Sequence, residues 1–171
     1  MERWFFALPV PPPVHAGLLQ HHHGTPALGA ERPADWHLTV LFIGVYPAAA
    51  LAELLPQVAA DCARLAPVPL EVDGLVPFPG VSGPMQVARV RDNGPLRALH
   101  GCAGQWRNRL DLAPEMRRFR PHITLHRQAP QAEHIALPLS GLADRLGLYG
   151  RAAKGAGQRY RLVADWALSG T

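Results

Sequence analysis

The chain has 171 residues, of which 48% are apolar and 18% are charged, so it can bury a core and is too apolar to be disordered. Its net charge of +4 suits an anionic partner, but no run of five basic residues indicates a nucleic-acid-binding tail. No apolar stretch reaches 18 residues and no leader-like pattern opens the chain, so we predict neither a membrane span nor a signal peptide and expect a cytoplasmic protein.

In the first half of the chain, apolar periodicity and turn residues predict a strand over 3–8, a short helix over 14–22, a Gly- and Pro-rich loop over 24–35, a strand over 36–44 and one helix over 48–65. The prolines from Pro9 to Pro13 are expected to stop the first strand. Pro56 lies off the apolar stripe of the second helix, where it can kink that helix.

In the second half, the same criteria predict strands over 70–76 and 85–90, a loop over 77–84 between them, a helix over 95–110, a strand over 119–127 and a strand over 160–168. The segment 137–148 fits either a helix or a strand. Because helices and strands interleave, the fold class is α/β or α+β. Cys62 and Cys102 fall in predicted helices, and their spacing indicates neither a disulfide framework nor a zinc site.

Two predicted strands each contain a His-apolar-Thr-apolar tetrapeptide. Side chains alternate along a strand, so His37 and Thr39 share one face, and His122 and Thr124 share one face in the same way. The offset of 85 residues between the two histidines predicts two similar lobes. The triplet His23-Gly24-Thr25 lacks the apolar residues and lies in a predicted loop, so we set it aside. The alternative is that both histidines are ordinary core side chains.

Two imidazoles that face one cleft can act as general base and general acid, which suits phosphoryl transfer without a metal. An unperturbed histidine titrates near neutral pH, so each ring can take either role. The hydroxyl groups of Thr39 and Thr124 can donate to the phosphate oxygens and stabilise charge in the transition state. The sequence does not decide which of His37 and His122 is the acid.

Arg127 follows the second tetrapeptide and is a candidate phosphate clamp, with a solvent-exposed strand end as the alternative. His126 shares a face with His122 and Thr124, so it is either an edge of the cleft or a spectator. The three consecutive histidines at 21–23 predict a solvated loop rather than a metal site.

These segments resemble the 2H phosphoesterase superfamily, which takes its name from two His-x-Thr/Ser-x motifs. Within it, the chain is most similar to the bacterial and archaeal RNA 2′,3′-cyclic phosphodiesterases, historically called 2′-5′ RNA ligases. The residues that carry the resemblance are the opening strand 3–9, the motif blocks 37–44 and 119–127, and a tail comprising Leu148-Tyr149, Gly157, Tyr160 and Trp166-Ala167-Leu168.

The resemblance implies an α+β fold in which residues 1–171 form a single bilobal domain, with two pseudo-symmetric lobes of antiparallel sheet, helices outside and a cleft between them. It implies hydrolysis of a terminal RNA 2′,3′-cyclic phosphate to a 2′-phosphate, with neither a metal nor a nucleotide cofactor. His37 and His122 would be the catalytic pair, Thr39 and Thr124 the phosphate donors, and Arg127 a phosphate contact. We expect a monomer whose partners are RNA ends or small cyclic-phosphate nucleotides, with no membrane.

Two residues depart from the family pattern, since His126 replaces a small residue and Arg151 stands where relatives often have Ser. Both could alter substrate contacts. Three other functions stay open: weak reverse 2′-5′ RNA ligation, hydrolysis of a small nucleotide such as ADP-ribose cyclic phosphate, and non-catalytic binding of RNA ends. Two titratable groups and two hydroxyls argue against the last, because binding alone does not need them.

Overall fold

The computed structural model describes residues 1–22 and 28–171. Its elements in chain order are β1 (Glu2–Pro9), α1 (Pro12–Leu19), β2 (His37–Tyr46), α2 (Ala48–Ala52), α3 (Leu55–Arg64), β3 (Val68–Gly80), β4 (Gly83–Val90), α4 (Gly94–Arg109), β5 (His122–His126), β6 (Ile135–Ala143), β7 (Arg145–Arg151) and β8 (Tyr160–Ala167). A 3-10 turn over Pro33–Asp35 precedes β2. The triplet 23–25, the third histidine of the run 21–23 and the first part of the predicted loop 24–35 lie outside the described residues.

The strands form two four-stranded antiparallel sheets, in the orders β2-β1-β7-β8 and β5-β4-β3-β6. Each His-x-Thr strand, β2 or β5, is therefore the outer strand of its own sheet. These two strands contact each other, which places the two tetrapeptides on either side of one cleft. The predicted α+β bilobal fold is confirmed.

One hydrophobic core cluster draws side chains from both sheets and from the helices that cover them. Trp106 of α4 is fully buried in this cluster, with its ring 5.2 Å from that of Phe6 in β1. The indole nitrogen of Trp106 donates to Oδ2 of the buried Asp61 in α3 at 2.8 Å. Since a buried carboxylate is costly unless it is hydrogen-bonded, this pair fixes α3 against α4.

The predicted loop over 77–84 is wrong, because β3 and β4 continue through it as a hairpin. Pro77 pairs with Gln86 and Pro79 with Pro84. Strand β6 pairs with β3 only as far as Leu75, so the prolines lie where that edge of β3 has no partner strand in the described chain. A residue without an N–H costs a strand little at such an edge.

The single helix predicted over 48–65 is also wrong. The chain forms two helices, α2 and α3, and Pro56 lies in the first turn of α3 rather than at a kink. In the same way α1 begins at Pro12, earlier than the predicted 14, because the first turn of a helix does not need proline's missing N–H. The ambiguous segment 137–148 is divided between the two strands β6 and β7.

Candidate active site

The strand geometry sets the direction of the four motif side chains. Leu38 and Val40 of β2, like the apolar residues of β5, are buried in the core. Alternation then turns the histidine and threonine of each strand to the opposite, half-exposed face. The predicted shared faces are therefore present in both strands.

A pocket of about 380 Å³ lies between the two tetrapeptides. All five residues predicted from the sequence to form the site line this pocket, and so do neighbours that were not predicted. The residues that line it are Glu31, Asp35, His37, Thr39, Phe42, Met85, Arg117, His122, Thr124 and Arg127.

The ring of His37 is held at both nitrogens. Nδ1 lies 2.7 Å from the carbonyl oxygen of Asp35, which can only accept, so Nδ1 carries the hydrogen. Nε2 lies 3.1 Å from Oγ1 of Thr39. When the ring is neutral, Nε2 accepts the hydroxyl hydrogen of Thr39, and when it is charged, Nε2 donates to that oxygen.

His122 repeats half of this arrangement. Its Nδ1 donates to the carbonyl oxygen of Arg120 at 2.7 Å, again two residues earlier in the chain. In both lobes the backbone therefore occupies Nδ1, which leaves Nε2 as the nitrogen that can exchange a proton with a bound molecule.

Aromatic rings fix both imidazoles from the side. The ring of His37 lies 4.7 Å from Phe5 and 5.5 Å, edge-on, from Tyr160. The ring of His122 lies 4.9 Å from Phe78, and the guanidinium of Arg120 stacks over the same phenyl ring at 4.1 Å. These contacts limit rotation of the two imidazoles.

Burial lowers the pKa of both histidines below the ordinary histidine value, because it disfavours the charged ring. The hydrogen bond to Asp35 and the negative charges of Glu31 and Asp35 partly oppose this effect on the pKa of His37. Arg120 adds to the lowering of the pKa of His122, although its carbonyl group opposes it. The two rings therefore have different electrostatic surroundings.

Arg127 lines the pocket and is also tied down. Its Nε donates to Oε1 of Glu31, whose side chain is only 7% exposed. Nη1 of Arg159 reaches the same oxygen at 3.3 Å. The carboxylate of Asp35 accepts from the backbone nitrogens of Arg159 and Tyr160 at 2.9 to 3.1 Å.

The sequence prediction missed Glu31, Asp35 and Arg159, which support the site, and Arg117, which lines the pocket. Glu31 and Asp35 lie in a segment that was predicted only as a loop. Asp35 beside Trp36, with Glu31 four residues earlier and an apolar strand directly after, is a weak signal for buried carboxylates.

The two departures from the family pattern lie outside the described lining of this pocket. The backbone of His126 bridges to Ala30, and its ring lies 6.5 Å from that of His22. The backbone of Arg151 binds elsewhere, since its nitrogen donates to Glu2 at 3.1 Å and its oxygen accepts from Arg161 at 3.0 Å.

Comparison with known proteins shows the family to which the chain belongs. The family model of the 2′-5′ RNA ligase superfamily matches residues 11–152, which is most of the chain. The chain belongs to the 2′-5′ RNA ligase superfamily. The superfamily match includes both tetrapeptides and Arg127. No curated protein matches the chain significantly.

The chain is also similar in structure to solved proteins over nearly its whole length. In the three structures named here, 98% of this chain and 98% of the other chain are covered. The protein TT0787 of Thermus thermophilus is 26% identical, with a TM-score of 0.81. A structure named only as a phosphoesterase is 25% identical, with a TM-score of 0.77. E. coli LigT complexed with ATP is 25% identical, with a TM-score of 0.71.

Two features are absent from the described part of this superfamily member. None of its helices is long and apolar enough to span a membrane. Nor do three or more of the His, Cys, Asp and Glu side chains in residues 1–22 and 28–171 come together as a potential metal site.

Proposed function

We propose that the protein hydrolyses the terminal 2′,3′-cyclic phosphate of RNA to a 2′-phosphate. The observation that carries this proposal is the pocket in which His37, Thr39, His122, Thr124 and Arg127 converge. Two imidazoles, two hydroxyls and one guanidinium form the set of groups that a cyclic phosphate needs for hydrolysis by acid–base catalysis.

In the proposed reaction, one neutral imidazole takes a proton from water as the water oxygen attacks phosphorus. The bond between phosphorus and O3′ breaks, and the other, protonated imidazole gives its proton to O3′. Proton transfer takes place at Nε2 of each ring, because the backbone holds Nδ1. Hydrogen bonds from Thr39, Thr124 and Arg127 stabilise the negative charge on the non-bridging oxygens.

The charges around the rings favour His37 as the acid and His122 as the base. Glu31 and Asp35 stabilise a charged His37, whereas Arg120 destabilises a charged His122. Arg127 works against the charge on His37. Two carboxylates and one guanidinium lie near His37, whereas a guanidinium without a carboxylate lies near His122, so the two rings differ in how readily they hold a proton.

A nucleotide substrate is consistent with the superfamily, since E. coli LigT, 25% identical to this chain, has been solved in complex with ATP. The physiological substrate is proposed to be an RNA end. A small cyclic-phosphate nucleotide is the alternative substrate, and the assay tests it beside the RNA.

The test is hydrolysis of a short RNA with a 2′,3′-cyclic phosphate end, beside a nucleoside 2′,3′-cyclic phosphate, both in EDTA. We expect a 2′-phosphate product and a higher kcat/KM for the RNA. His37→Ala and His122→Ala should each reduce turnover by about 10²- to 10⁴-fold. A 3′-phosphate product, or no turnover of either substrate, would contradict the proposal.

His100 provides the matched control. It is a partly buried histidine of α4 whose ring stacks on Phe119 at 3.9 Å, and burial lowers its pKa as well. It lies outside the described lining of the pocket. His100→Ala should therefore leave turnover unchanged, and circular dichroism checks that all three variants fold.

A further inference from the structure

Glu31 is a buried carboxylate whose partners are two guanidinium groups from distant parts of the chain. Arg127 follows β5 in one lobe, and Arg159 precedes β8 in the other. Both reach Oε1 of Glu31. Because burial of an unpaired carboxylate is strongly unfavourable, the two arginines and Glu31 depend on one another.

The backbone fixes Glu31 beside the end of β5. The nitrogen of Arg127 donates to the carbonyl oxygen of Gly29 at 2.8 Å, and the nitrogen of Glu31 donates to the carbonyl oxygen of Leu125 at 2.8 Å. Ala30, between them, forms a β-bridge with His126. Residues 29–31 thus lie along β5 like a short additional strand.

This pairing determines what Arg127 can do. Its bond to Glu31 uses Nε, and a guanidinium carries four further N–H hydrogens on its two Nη atoms. The side chain of Arg127 is 46% exposed and lines the pocket beside both histidines. Anchored at Nε, it can offer its Nη groups to an anion without first being immobilised, which lowers the entropic cost of binding.

We propose that Glu31 is a positioning residue, which holds Arg127 in the orientation that binds the substrate phosphate. The proposal rests on the phosphoesterase function proposed above. Glu31 acts through Arg127 and through its charge near His37, and it does not exchange a proton with the substrate.

The two effects of Glu31 are separable in kinetics. Loss of the anchor releases Arg127 and raises KM. Loss of the negative charge lowers the pKa of His37, so the alkaline limb of kcat/KM moves to lower pH if His37 is the acid. The other groups that surround His37 are Asp35 and Arg127, which are charged, the phenols Tyr149 and Tyr160, and the uncharged Thr39 and Phe5.

The experiment compares Glu31→Gln, Glu31→Asp, Arg127→Ala and the double variant Glu31→Gln/Arg127→Ala in the hydrolysis assay. Glu31→Gln keeps an acceptor oxygen but loses the charge that holds Arg127, so it should raise KM roughly tenfold, move the alkaline limb and add little to the KM of Arg127→Ala. Glu31→Asp keeps the charge with a shorter reach, so it should raise KM while the limb stays in place. Asp61→Asn, which alters another buried carboxylate with an arginine partner, should leave both readouts unchanged.

Two results would overturn the proposal. One is a Glu31→Gln effect on KM that is equally large in the Arg127→Ala background, and the other is a loss of activity at unchanged KM and pH profile. Calorimetric binding of inorganic phosphate separates this proposal from the function. If the wild type binds phosphate but does not hydrolyse a cyclic phosphate, weaker binding by Glu31→Gln supports the positioning role alone, and unchanged binding overturns it. Wild-type protein that neither binds phosphate nor turns over contradicts both.

Discussion

Nδ1 of His37 donates to the carbonyl oxygen of Asp35, and the same bond, at the same length of 2.7 Å, joins His122 to Arg120. Both bonds span two residues at the point where the chain enters an outer strand. The two lobes therefore orient their imidazoles with the same local hydrogen bond. It selects the tautomer of each ring before any substrate is present.

The pKa shifts predict the pH at which the enzyme works best. Since burial lowers the pKa of both histidines, the maximum of kcat/KM should lie below the ordinary histidine value of about 6.5. Activity should fall at lower pH as the base becomes protonated, and at higher pH as the acid loses its proton. A pH series of kcat/KM checks this expectation. A flat profile between pH 5 and 9 would contradict the two-histidine mechanism.

The two threonine hydroxyls are expected to act mainly in the transition state. Thr39→Val and Thr124→Val preserve the shape of the side chain and remove the donor, so each should lower kcat/KM by roughly 10- to 100-fold. Steady-state kinetics on the cyclic phosphate measures this loss. Thr39→Ser and Thr124→Ser keep the hydroxyl and should retain most of the activity. Equal losses in the Val and Ser variants would contradict a role that depends on the hydroxyl donor alone.

Any residue larger than glycine at position 29 should destabilise the protein. Its φ is +90°, and a Cβ there would lie 2.9 Å from Cβ and 3.0 Å from the backbone nitrogen of Gln128. Gly29→Ala should therefore lower the free energy of unfolding by about 1 to 3 kcal/mol. Gly101→Ala is the control, since Gly101 is exposed in α4 and an added Cβ meets no described atom within 4 Å. That variant should be stabilised by about 0.5 to 1 kcal/mol in urea denaturation. Similar effects at both sites would contradict the strain argument.

Trp106→Phe should destabilise the protein without affecting catalysis. The variant keeps most of the ring in the core but removes the donor to the buried Asp61, which costs about 1 to 3 kcal/mol. Thermal unfolding measures this loss. Tyr46→Phe removes a half-buried bond to the carbonyl oxygen of Leu110 and should cost less. A change in KM in the Trp106→Phe variant would contradict the separation of this core contact from the site.

The sequence was sufficient to predict the chemical groups of the candidate site. A period of two residues decides which side chains share a face, so His37 and Thr39 could be paired without a structure. The repetition of the tetrapeptide in a second strand then indicated a common cleft. The catalytic roles of these residues remain a prediction.

The groups that support the site could not be predicted from local sequence patterns. Arg127 and Arg159 are 96 and 128 residues away from Glu31, and no periodicity connects them. The prediction of a loop in the Pro-rich part of β3 was wrong for a related reason. Composition indicates that Pro77 and Pro79 form a loop. The destabilisation that a proline causes in a strand depends on whether a neighbouring strand would need an N–H at that position.

The order of the strands has a consequence for synthesis of the protein. The sheet that contains His122 is built from one continuous stretch, residues 68–143, whereas the sheet that contains His37 combines strands from both ends of the chain. A nascent polypeptide that has emerged from the ribosome as far as Ala143 contains every strand of the sheet with His122. It contains only two strands, β1 and β2, of the sheet with His37. Since domains begin to fold during translation, one half of the catalytic cleft can assemble early. The other half must wait for the last hairpin, in which the backbone nitrogens of Arg159 and Tyr160 donate to Asp35 and the ring of Tyr160 lies edge-on to His37.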